Sequence, residues 1–375
     1  DYEDMPRLFQ ETCRRKEDYL GQLNRHLGKA TMNLSWKNRF LESRDAVVSQ
    51  FRELAVILEE FSRQMEEAVD VTSQYERAVR RVFYHQNMVI DHMLILEYEN
   101  RCREAFLTVK TNHGKCITTK EAAGYLGQAM GDGEWDVARD SKVIVTRQFA
   151  TIRFIESGKY RALYGVAKAV KQGEAISGDN YTFCENTSGQ VVMSLSDGMG
   201  SGETAWEESK RVIELTEQLL AAGYSPRSAL KLVNTILLLA GTEQHPATID
   251  LCCIDLYTGV LEVMKLGAVA TFIIGDDGVE LLEAVDVPAG VLNPVEPVLL
   301  SRKLWENNRI VMVSDGVLDA LPGAEKEQVM KDFLESIPRR TPQDMAERIL
   351  EFAASFAESA RDDMTVLTAG IWKRN

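Results

Sequence analysis

The spacing of hydrophobic residues changes along the chain and predicts two structurally different parts. Residues 1 to about 106 are rich in Glu, Arg, Leu and Gln, contain no proline after Pro6, and are predicted to form long helices. From Lys159 onward, short apolar runs alternate with turns and with paired amphipathic stretches. Strands in blocks, with helices in pairs, predict an α+β fold in which packed sheets are covered by helices.

One stretch of the helical part carries a seam of apolar residues at coiled-coil spacing. They recur at intervals of four, three, four, three and four: Val47, Phe51, Leu54, Leu58, Phe61 and Met65. These are the a and d positions of a heptad, which need a partner helix in the same chain or in another. We therefore expect this region to regulate the second part or to self-associate. The alternative is a helical bundle with no role beyond packing.

Between the two parts, the pattern predicts a small α/β segment. Residues 107–110 and 143–146 resemble short strands, and a helix is predicted from Thr119 to Met130, with Thr118 or Thr119 as its cap. A candidate hairpin of residues 160–170 and 180–185 follows. The predicted domains are thus a helical region at 1–106, a linker segment at 107–156 and a larger domain at 157–375.

Aspartates recur at the ends of predicted strands in the larger domain. Four sites share this position: Gly178-Asp179, Asp197-Gly198-Met199-Gly200-Ser201-Gly202, Ser314-Asp315-Gly316 and Asp362-Asp363. Any one of them alone is more often a turn or capping residue. Together, and without a Cys or His beside them, they form the oxygen ligand set that Mg²⁺ or Mn²⁺ prefers.

These motifs, in this order, resemble those of the metal-dependent protein phosphatases of the type 2C class. The resemblance covers about residues 157–375. It implies an αββα sandwich that holds two Mn²⁺ or Mg²⁺ ions and hydrolyses phosphoserine or phosphothreonine in proteins. Two such cations would activate a water molecule and neutralise the phosphoryl oxygens.

The resemblance also implies a role for each motif residue. Asp197 would bridge the two metals, and the main-chain carbonyl of Gly198 would hold the second. Asp315 and Asp362 would complete the first metal site. Asp179 would position the attacking water, which makes Asp179 and Asp197 the predicted catalytic residues.

Two positions depart from the pattern of this class. Asp363 occupies a place where many relatives have Asn, so the choice of Asp362 or Asp363 as the direct ligand stays open.

Met199 stands where animal members carry a His that is thought to protonate the leaving oxygen. Methionine cannot donate a proton. Either water supplies this proton or the serine leaves with less assistance, and we expect modest turnover.

The helices ahead of the motifs resemble the cytoplasmic part of the membrane-bound sporulation phosphatases of this class. That resemblance implies a phosphorylated anti-anti-sigma factor (SpoIIAA-like) as substrate, whose dephosphorylation frees the first forespore sigma factor. It further implies association with the division protein FtsZ, self-association through the N-terminal helices, and a location at the cell membrane of the division septum. Because the chain begins at Asp1 and not at Met, we expect a fragment of a longer chain. The resemblance implies that this fragment is cytoplasmic and that membrane segments lie upstream of it.

Charge and cysteine content exclude other classes of function. The net charge of −14 disfavours nucleic acid or anionic lipid as the main partner, and so disfavours a metal-dependent nuclease. Six cysteines without a Cys-x-x-Cys pair indicate a reducing compartment and no disulfide framework. The remaining alternative is a catalytically weak scaffold of the same fold that binds division proteins. The presence of all four acidic sites favours the enzyme.

Overall fold

The structure is a computed structural model. It describes residues 21–26, 44, 47–48, 51–52, 54–56, 58–59, 62–63 and 66–374, apart from 99–101, 113–115, 132, 139–140, 186–188, 241–246, 268–269, 283–287, 291–296, 339 and 357–361. The chain divides into two compact units, residues 1–54 and 55–375. None of the described helices combines the length and the apolar character needed to cross a bilayer.

The predicted seam lies on residues that are helical where the structure describes them. Val47, Phe51, Leu54 and Leu58 are helical and exposed. Phe61 and Met65 lie outside the described residues. The helical character of the described positions is confirmed, and the partner helix that the seam requires stays a prediction.

Residues 69–156 form an α/β lobe, which we call the amino-terminal lobe. Its antiparallel sheet has the order β1-β2-β3-β7-β5. The strands are Val69–Asp70 (β1), Met88–Glu97 (β2), Arg103–Thr111 (β3), Trp135–Val137 (β5) and Ala150–Glu156 (β7), while Ile117–Thr118 (β4) pairs with Ile144–Val145 (β6). Helices Thr72–His85 (α1) and Thr119–Met130 (α2) share one core with the sheet. Thr118 and Glu121 form the capping box of α2, which confirms the predicted start of that helix.

This lobe corrects the prediction that helices continue to residue 106. Residues 88–97 and 103–111 are strands that pair with each other, and β3 also pairs with β7. The predicted boundary at 106 therefore falls inside β3, and residues 107–156 share a sheet with the residues before them. β2 and β3 contain neither Gly nor Pro to interrupt a predicted helix, and periodicity alone does not separate buried strands from helices.

The larger domain is a sandwich of two five-stranded antiparallel sheets. The first sheet has the order β15-β12-β11-β10-β9 and the second has the order β14-β13-β16-β17-β8. The first comprises Asp179–Glu185 (β9), Gln190–Asp197 (β10), Ile249–Asp255 (β11), Val260–Leu266 (β12) and Val298–Lys303 (β15). The second comprises Tyr160–Ala169 (β8), Thr271–Gly275 (β13), Gly278–Leu282 (β14), Arg309–Val313 (β16) and Met364–Lys373 (β17).

Helices cover the outer face of each sheet. Gly202–Ala221 (α3) and Pro226–Ala240 (α4) pack on the first sheet, and Lys326–Ser336 (α6) and Pro342–Ala354 (α7) pack on the second. The short helix Asp315–Asp319 (α5) follows β16. A third core lies between the sheets and includes Leu195, Ile254 and Leu367. The predicted αββα architecture is confirmed.

The predicted hairpin before Asp197 is wrong. β8 pairs with β17 in the second sheet, whereas β9 pairs with β10 in the first. The chain between β8 and β9 therefore crosses from one sheet to the other. This crossing brings the end of β8 and the start of β9 to the same end of the sandwich as Asp197.

Candidate active site

Two of the predicted carboxylates lie directly opposite each other in the first sheet. β9 begins at Asp179, β10 ends at Asp197, and the antiparallel register pairs the two residues. Directly paired residues share one face of a sheet, with Cβ atoms about 4.5–5.5 Å apart. Leu195, two residues before Asp197, lies in the core between the sheets. Asp179 and Asp197 therefore extend that inner face at the end of the sandwich.

The second sheet brings the other acidic residues to its own corresponding end. Asp315 follows β16, and Asp362 and Asp363 precede its partner β17. The main-chain N–H of Ser314 donates to the carbonyl of Thr365 at 2.9 Å, and the N–H of Thr365 donates to Oγ of Ser314 at 2.9 Å. The two loops lie very close together, since a Cβ on Gly316 would sit 2.1 Å from the carbonyl oxygen of Asp363. Only glycine permits such an approach.

Carboxylates from the two sheets meet around Asp197. Burial and, to a smaller extent, the neighbouring charges of Asp179 and Asp315 together raise the pKa of Asp197 to about 10. Burial also raises the pKa of Asp179, while the nearby hydroxyls of Thr365 and Ser314 lower it. Asp179 is only 1% exposed, and neither of its carboxylate oxygens has a well-formed hydrogen bond within the described part of the chain.

This arrangement fits divalent cations. Buried carboxylates that face one another without donors must either keep protons or share a positive ion. As placed in the structure, no group of three or more His, Cys, Asp or Glu side chains among the described residues could hold a metal ion. The charges of Asp179 and Asp315 both act on Asp197 and raise its pKa in the absence of a cation. To bind a cation together, these carboxylates would have to reorient.

The structure separates the environments of Asp362 and Asp363. Asp363 is buried, its Oδ1 accepts from the main-chain N–H of Lys171 at 2.9 Å, and its Oδ2 accepts from that of Gly178 at 2.8 Å. Both oxygens thus tie the loop that precedes Asp179 to β17. Asp362 is half-exposed, and its Oδ1 lies 3.7 Å from Nζ of Lys171. Asp362 is therefore the more available of the two for a metal.

Gly198 joins the end of β10 to the first turns of α3. A Cβ at this position would lie 2.1 Å from the carbonyl oxygen of Ala205. The strand end is also held by Thr248, whose Oγ1 accepts from the N–H of Asp197 at 3.1 Å and whose N–H donates to the carbonyl of Asp197 at 2.9 Å. Met199 is 57% exposed, so the residue that replaces the His of animal enzymes faces solvent.

Two family models match the chain. The model described as "Stage II sporulation protein E (SpoIIE)" matches residues 187–371, and the model described as "SpoIIE, regulatory domain" matches residues 1–131. Together they cover the helical region, much of the amino-terminal lobe and three of the four acidic sites. The chain belongs to the SpoIIE family.

Curated SpoIIE relatives match nearly the whole chain. The stage II sporulation protein E of Bacillus subtilis (strain 168) is 26% identical over 373 residues, which are 97% of this chain and 44% of the relative. The protein of the same name from Priestia megaterium is 26% identical over 372 residues, which are 98% of this chain and 63% of the relative. The chain thus spans about half the length of the curated SpoIIE proteins that it matches.

Solved structures confirm the predicted phosphatase fold. The PP2C (type 2C) phosphatase domain with a fragment of the regulatory domain of SpoIIE from Bacillus subtilis superposes with a TM-score of 0.61 at 26% identity, over 90% of this chain and 98% of that one. A Mycobacterium tuberculosis structure of RsbU and RsbW domains has a TM-score of 0.52 at 19% identity, over 58% of this chain and 62% of that one. At 19% identity, the similarity to the RsbU and RsbW domains shows a shared fold only.

In this SpoIIE-family chain, the sequence analysis missed the residues that support the acidic cluster. Thr248 holds the strand end at Asp197, and Nζ of Lys168 donates to the carbonyl of Asp179 at 2.7 Å. Burial lowers the pKa of Lys168. Lys168 could have been noticed in the sequence, because it is a charged residue in the otherwise apolar end of β8. Nothing in the sequence pointed to Thr248, because its contact with Asp197 depends on the pairing of β10 with β11.

We predict that the metal-free SpoIIE-family chain loses stability as the pH rises. The folded-state pKa of Asp197 is raised from 3.8 to about 10, so the unfolded chain releases this proton first. The stability linked to this group is complete below about pH 4 and is lost on the way to about pH 10. Melting temperatures in chelator at pH 6 and pH 9 would measure the effect. Asp197→Asn should flatten this dependence, and equal slopes in the two proteins would contradict the assignment.

Proposed function

We propose that this chain is a Mn²⁺- or Mg²⁺-dependent protein serine/threonine phosphatase that acts in sporulation. The observation that carries the proposal is the meeting of carboxylates from two sheets around Asp197, where the buried carboxylate oxygens of Asp179 have no hydrogen-bond partner among the described residues. Asp197 would bridge two ions and the carbonyl of Gly198 would bind the second. Asp315 and Asp362 would bind the first.

The two ions would supply an activated water and neutralise charge on the phosphoryl group. The chain's own residues would position the reacting groups, and such positioning provides much of the rate enhancement in phosphoryl transfer. Asp179 would orient the attacking water. Asp363 would hold the loop before Asp179 through its two main-chain contacts. Since Met199 has no proton to give, the leaving serine oxygen would take its proton from water.

For the substrate, we propose the phosphoserine of a SpoIIAA-like anti-anti-sigma factor, whose dephosphorylation frees the first forespore sigma factor. Family membership supports this choice, and the acidic chain gives no reason to expect nucleic acid. The test compares initial rates of phosphate release from the phosphorylated anti-anti-sigma factor and from an unrelated phosphoserine protein. A clear preference for the first is expected. Equal rates would contradict the substrate assignment and leave the phosphatase assignment standing.

Association with FtsZ and a place at the membrane of the division septum rest on the family resemblance alone. A scaffold that binds division proteins without catalysis is the competing proposal. The two proposals differ in turnover, because the enzyme would release phosphate from its substrate whereas the scaffold would only bind its partners. Retained partner binding together with absent turnover in the unaltered chain would favour the scaffold.

We predict that the exposed apolar seam drives self-association. Phe51 and Leu58 are 68% and 67% exposed, and an uncovered seam of this kind is stabilised by a second helix. Changing both to Asp should lower the mass measured by light scattering and alter the regulation of phosphatase activity. Val56→Asp is the matched control, since Val56 is helical and exposed but lies off the seam. An unchanged mass in the Phe51→Asp/Leu58→Asp variant would contradict the prediction.

We also predict that helices α3 and α4 tune the metal site. α3 begins four residues after Gly198, and Leu215 and Leu219 are partly buried in the core that α3 and α4 share with the first sheet. A shift of α3 would move the Gly198 carbonyl, and octahedral Mg²⁺ or Mn²⁺ tolerates little displacement of a ligand. Leu215→Ala or Leu219→Ala should therefore weaken Mn²⁺ binding per folded molecule.

The matched control for these variants is Leu350→Ala in α7, which is partly buried against the second sheet. It should lower stability without changing the affinity for Mn²⁺. If the α3 variants behave in the same way as this control, the helices only cover the sheet and have no influence on the metal.

A further inference from the structure

A fully buried ion pair lies between the two sheets of the sandwich. Lys265 of β12 is 0% exposed, and its Nζ contacts Oδ2 of Asp250 on β11 and donates to Oγ1 of Thr271 on β13 at 2.7 Å. Oγ1 of Thr271 donates in turn to Oδ2 of Asp250 at 2.8 Å. These three side chains, which we call the buried triad, close a ring of hydrogen bonds that links the first sheet to the second.

The buried triad lies one row of residues inside the candidate metal site. In the first sheet, Asp250 is paired with both Leu195 and Lys265, and Leu195 is two residues before Asp197 on the same face. In the second sheet, Thr271 is paired with Met312, three residues before Asp315. The triad therefore connects the strands next to β10 and β16, which lead into Asp197 and Asp315.

A second path joins the triad to Asp197. Thr248 lies two residues before Asp250 and exchanges hydrogen bonds with the main chain of Asp197 through its own N–H and Oγ1. A displacement of β11 would therefore move the main chain of Asp197. On the other side of the sandwich, β13 pairs directly with β16, whose end carries Asp315.

Stability alone does not account for a triad of this composition. Its surroundings between the sheets are apolar and include Leu195, Cys252 and Met312. Removing two charges from water is costly, and well-packed apolar residues of the same size often stabilise a protein equally well or better. The cost is not fully offset here, because Oδ1 of Asp250 has no hydrogen-bond partner among the residues that the structure describes.

We propose that Asp250, Lys265 and Thr271 are positioning residues that set the spacing and register of the two sheets at the metal site. The inference rests on the proposed phosphatase function. Each sheet supplies only part of the carboxylate set, so the distance between the sheets decides whether the carboxylates can share an ion. Directional hydrogen bonds restrict that distance more narrowly than apolar contacts, and Mg²⁺ or Mn²⁺ requires near-octahedral ligands.

The central test replaces the whole triad with apolar residues of similar size in the full chain, as Asp250→Leu/Lys265→Met/Thr271→Val. We expect this variant to fold, with a melting temperature equal to or above that of the unaltered chain. Its affinity for Mn²⁺, measured by calorimetry without any substrate, should fall about tenfold or more. A purely structural role would leave the affinity of the folded protein unchanged.

Single variants of Thr271 and a distant core variant provide the controls. Thr271→Ser keeps the hydroxyl and should retain the Mn²⁺ affinity, whereas the isosteric Thr271→Val should weaken it. Ile254→Val loosens the same core between the sheets without touching the triad. It should lower the melting temperature and leave the affinity unchanged.

The outcomes separate this inference from the proposed function. Wild-type affinity in the folded triple variant would overturn the positioning role while leaving the metal site intact. If the unaltered chain bound no Mn²⁺, the proposed function would fail and the positioning role with it. If the triple variant did not fold, the comparison of Thr271→Ser with Thr271→Val decides, and equal affinities in these two would overturn the inference.

Discussion

Asp197→Asn is expected to lower phosphatase activity by about 10²–10³-fold or more and to leave the chain folded. Asp197 is the residue at which the two sheets meet, since the charges of both Asp179 and Asp315 raise its pKa. The substitution removes the charge that would bridge two ions. The fold should survive, because an amide has nearly the same shape and does not repel the neighbouring carboxylates.

The measurement is Mn²⁺-dependent phosphate release, with circular dichroism as the check on folding. Asp332→Asn is the matched control, as it makes the same chemical change at an exposed position on α6. It should retain full activity. Full activity in a folded Asp197→Asn variant would exclude the metal assignment.

Gly198→Ala is expected to lower both the affinity for Mn²⁺ and turnover, the latter by about 10²-fold. The added Cβ would lie 2.1 Å from the carbonyl oxygen of Ala205 and 2.7 Å from its carbon. Both contacts are with main-chain atoms, so either the strand end or the first turn of α3 must shift. A shift of about 1 Å is enough to misplace the proposed carbonyl ligand of the second ion.

Gly124→Ala is the control for this substitution. Gly124 lies in α2 of the amino-terminal lobe, and a Cβ there meets no other atom within 4 Å. Activity and Mn²⁺ affinity should be unchanged in that variant. If Gly198→Ala also retained wild-type Mn²⁺ affinity, the carbonyl of Gly198 would not be a metal ligand.

The acidic sites could be predicted from the sequence because each is a local pattern. Asp197 followed by glycine at the end of an apolar run identifies a strand end and a tight turn without knowledge of the fold. The same holds for the cap of α2, where Thr118 and Glu121 are three residues apart. These patterns do not show which strands pair with each other. They could therefore not predict the register that places Asp179 directly opposite Asp197.

The errors of prediction come from contacts between residues far apart in the sequence. The hairpin of residues 160–170 and 180–185 was a reasonable expectation for neighbouring strands, yet β8 pairs with β17, about 200 residues away. The helices predicted to reach residue 106 fail for a related reason, since β2 and β3 are stabilised by their place in a sheet. Tertiary pairing overrides local preference in both cases.

The buried triad could not be predicted from the sequence either, because its residues meet only through the pairing of strands and the packing of the two sheets. Asp250, Lys265 and Thr271 are separate polar residues in apolar strands, and a lysine in such a strand is ordinarily expected to reach solvent. Only the register of β11 with β12 and the facing of the two sheets show that the three side chains meet.

The most direct test of the central claim is phosphate release from a phosphoserine anti-anti-sigma factor as Mn²⁺ is added to the metal-free chain. We expect release to rise with Mn²⁺ to a plateau, to stop when chelator is added, and to be at least about 10²-fold slower in Asp197→Asn. Release that was the same in Mn²⁺ and in chelator, or no release at any Mn²⁺ concentration, would contradict the claim.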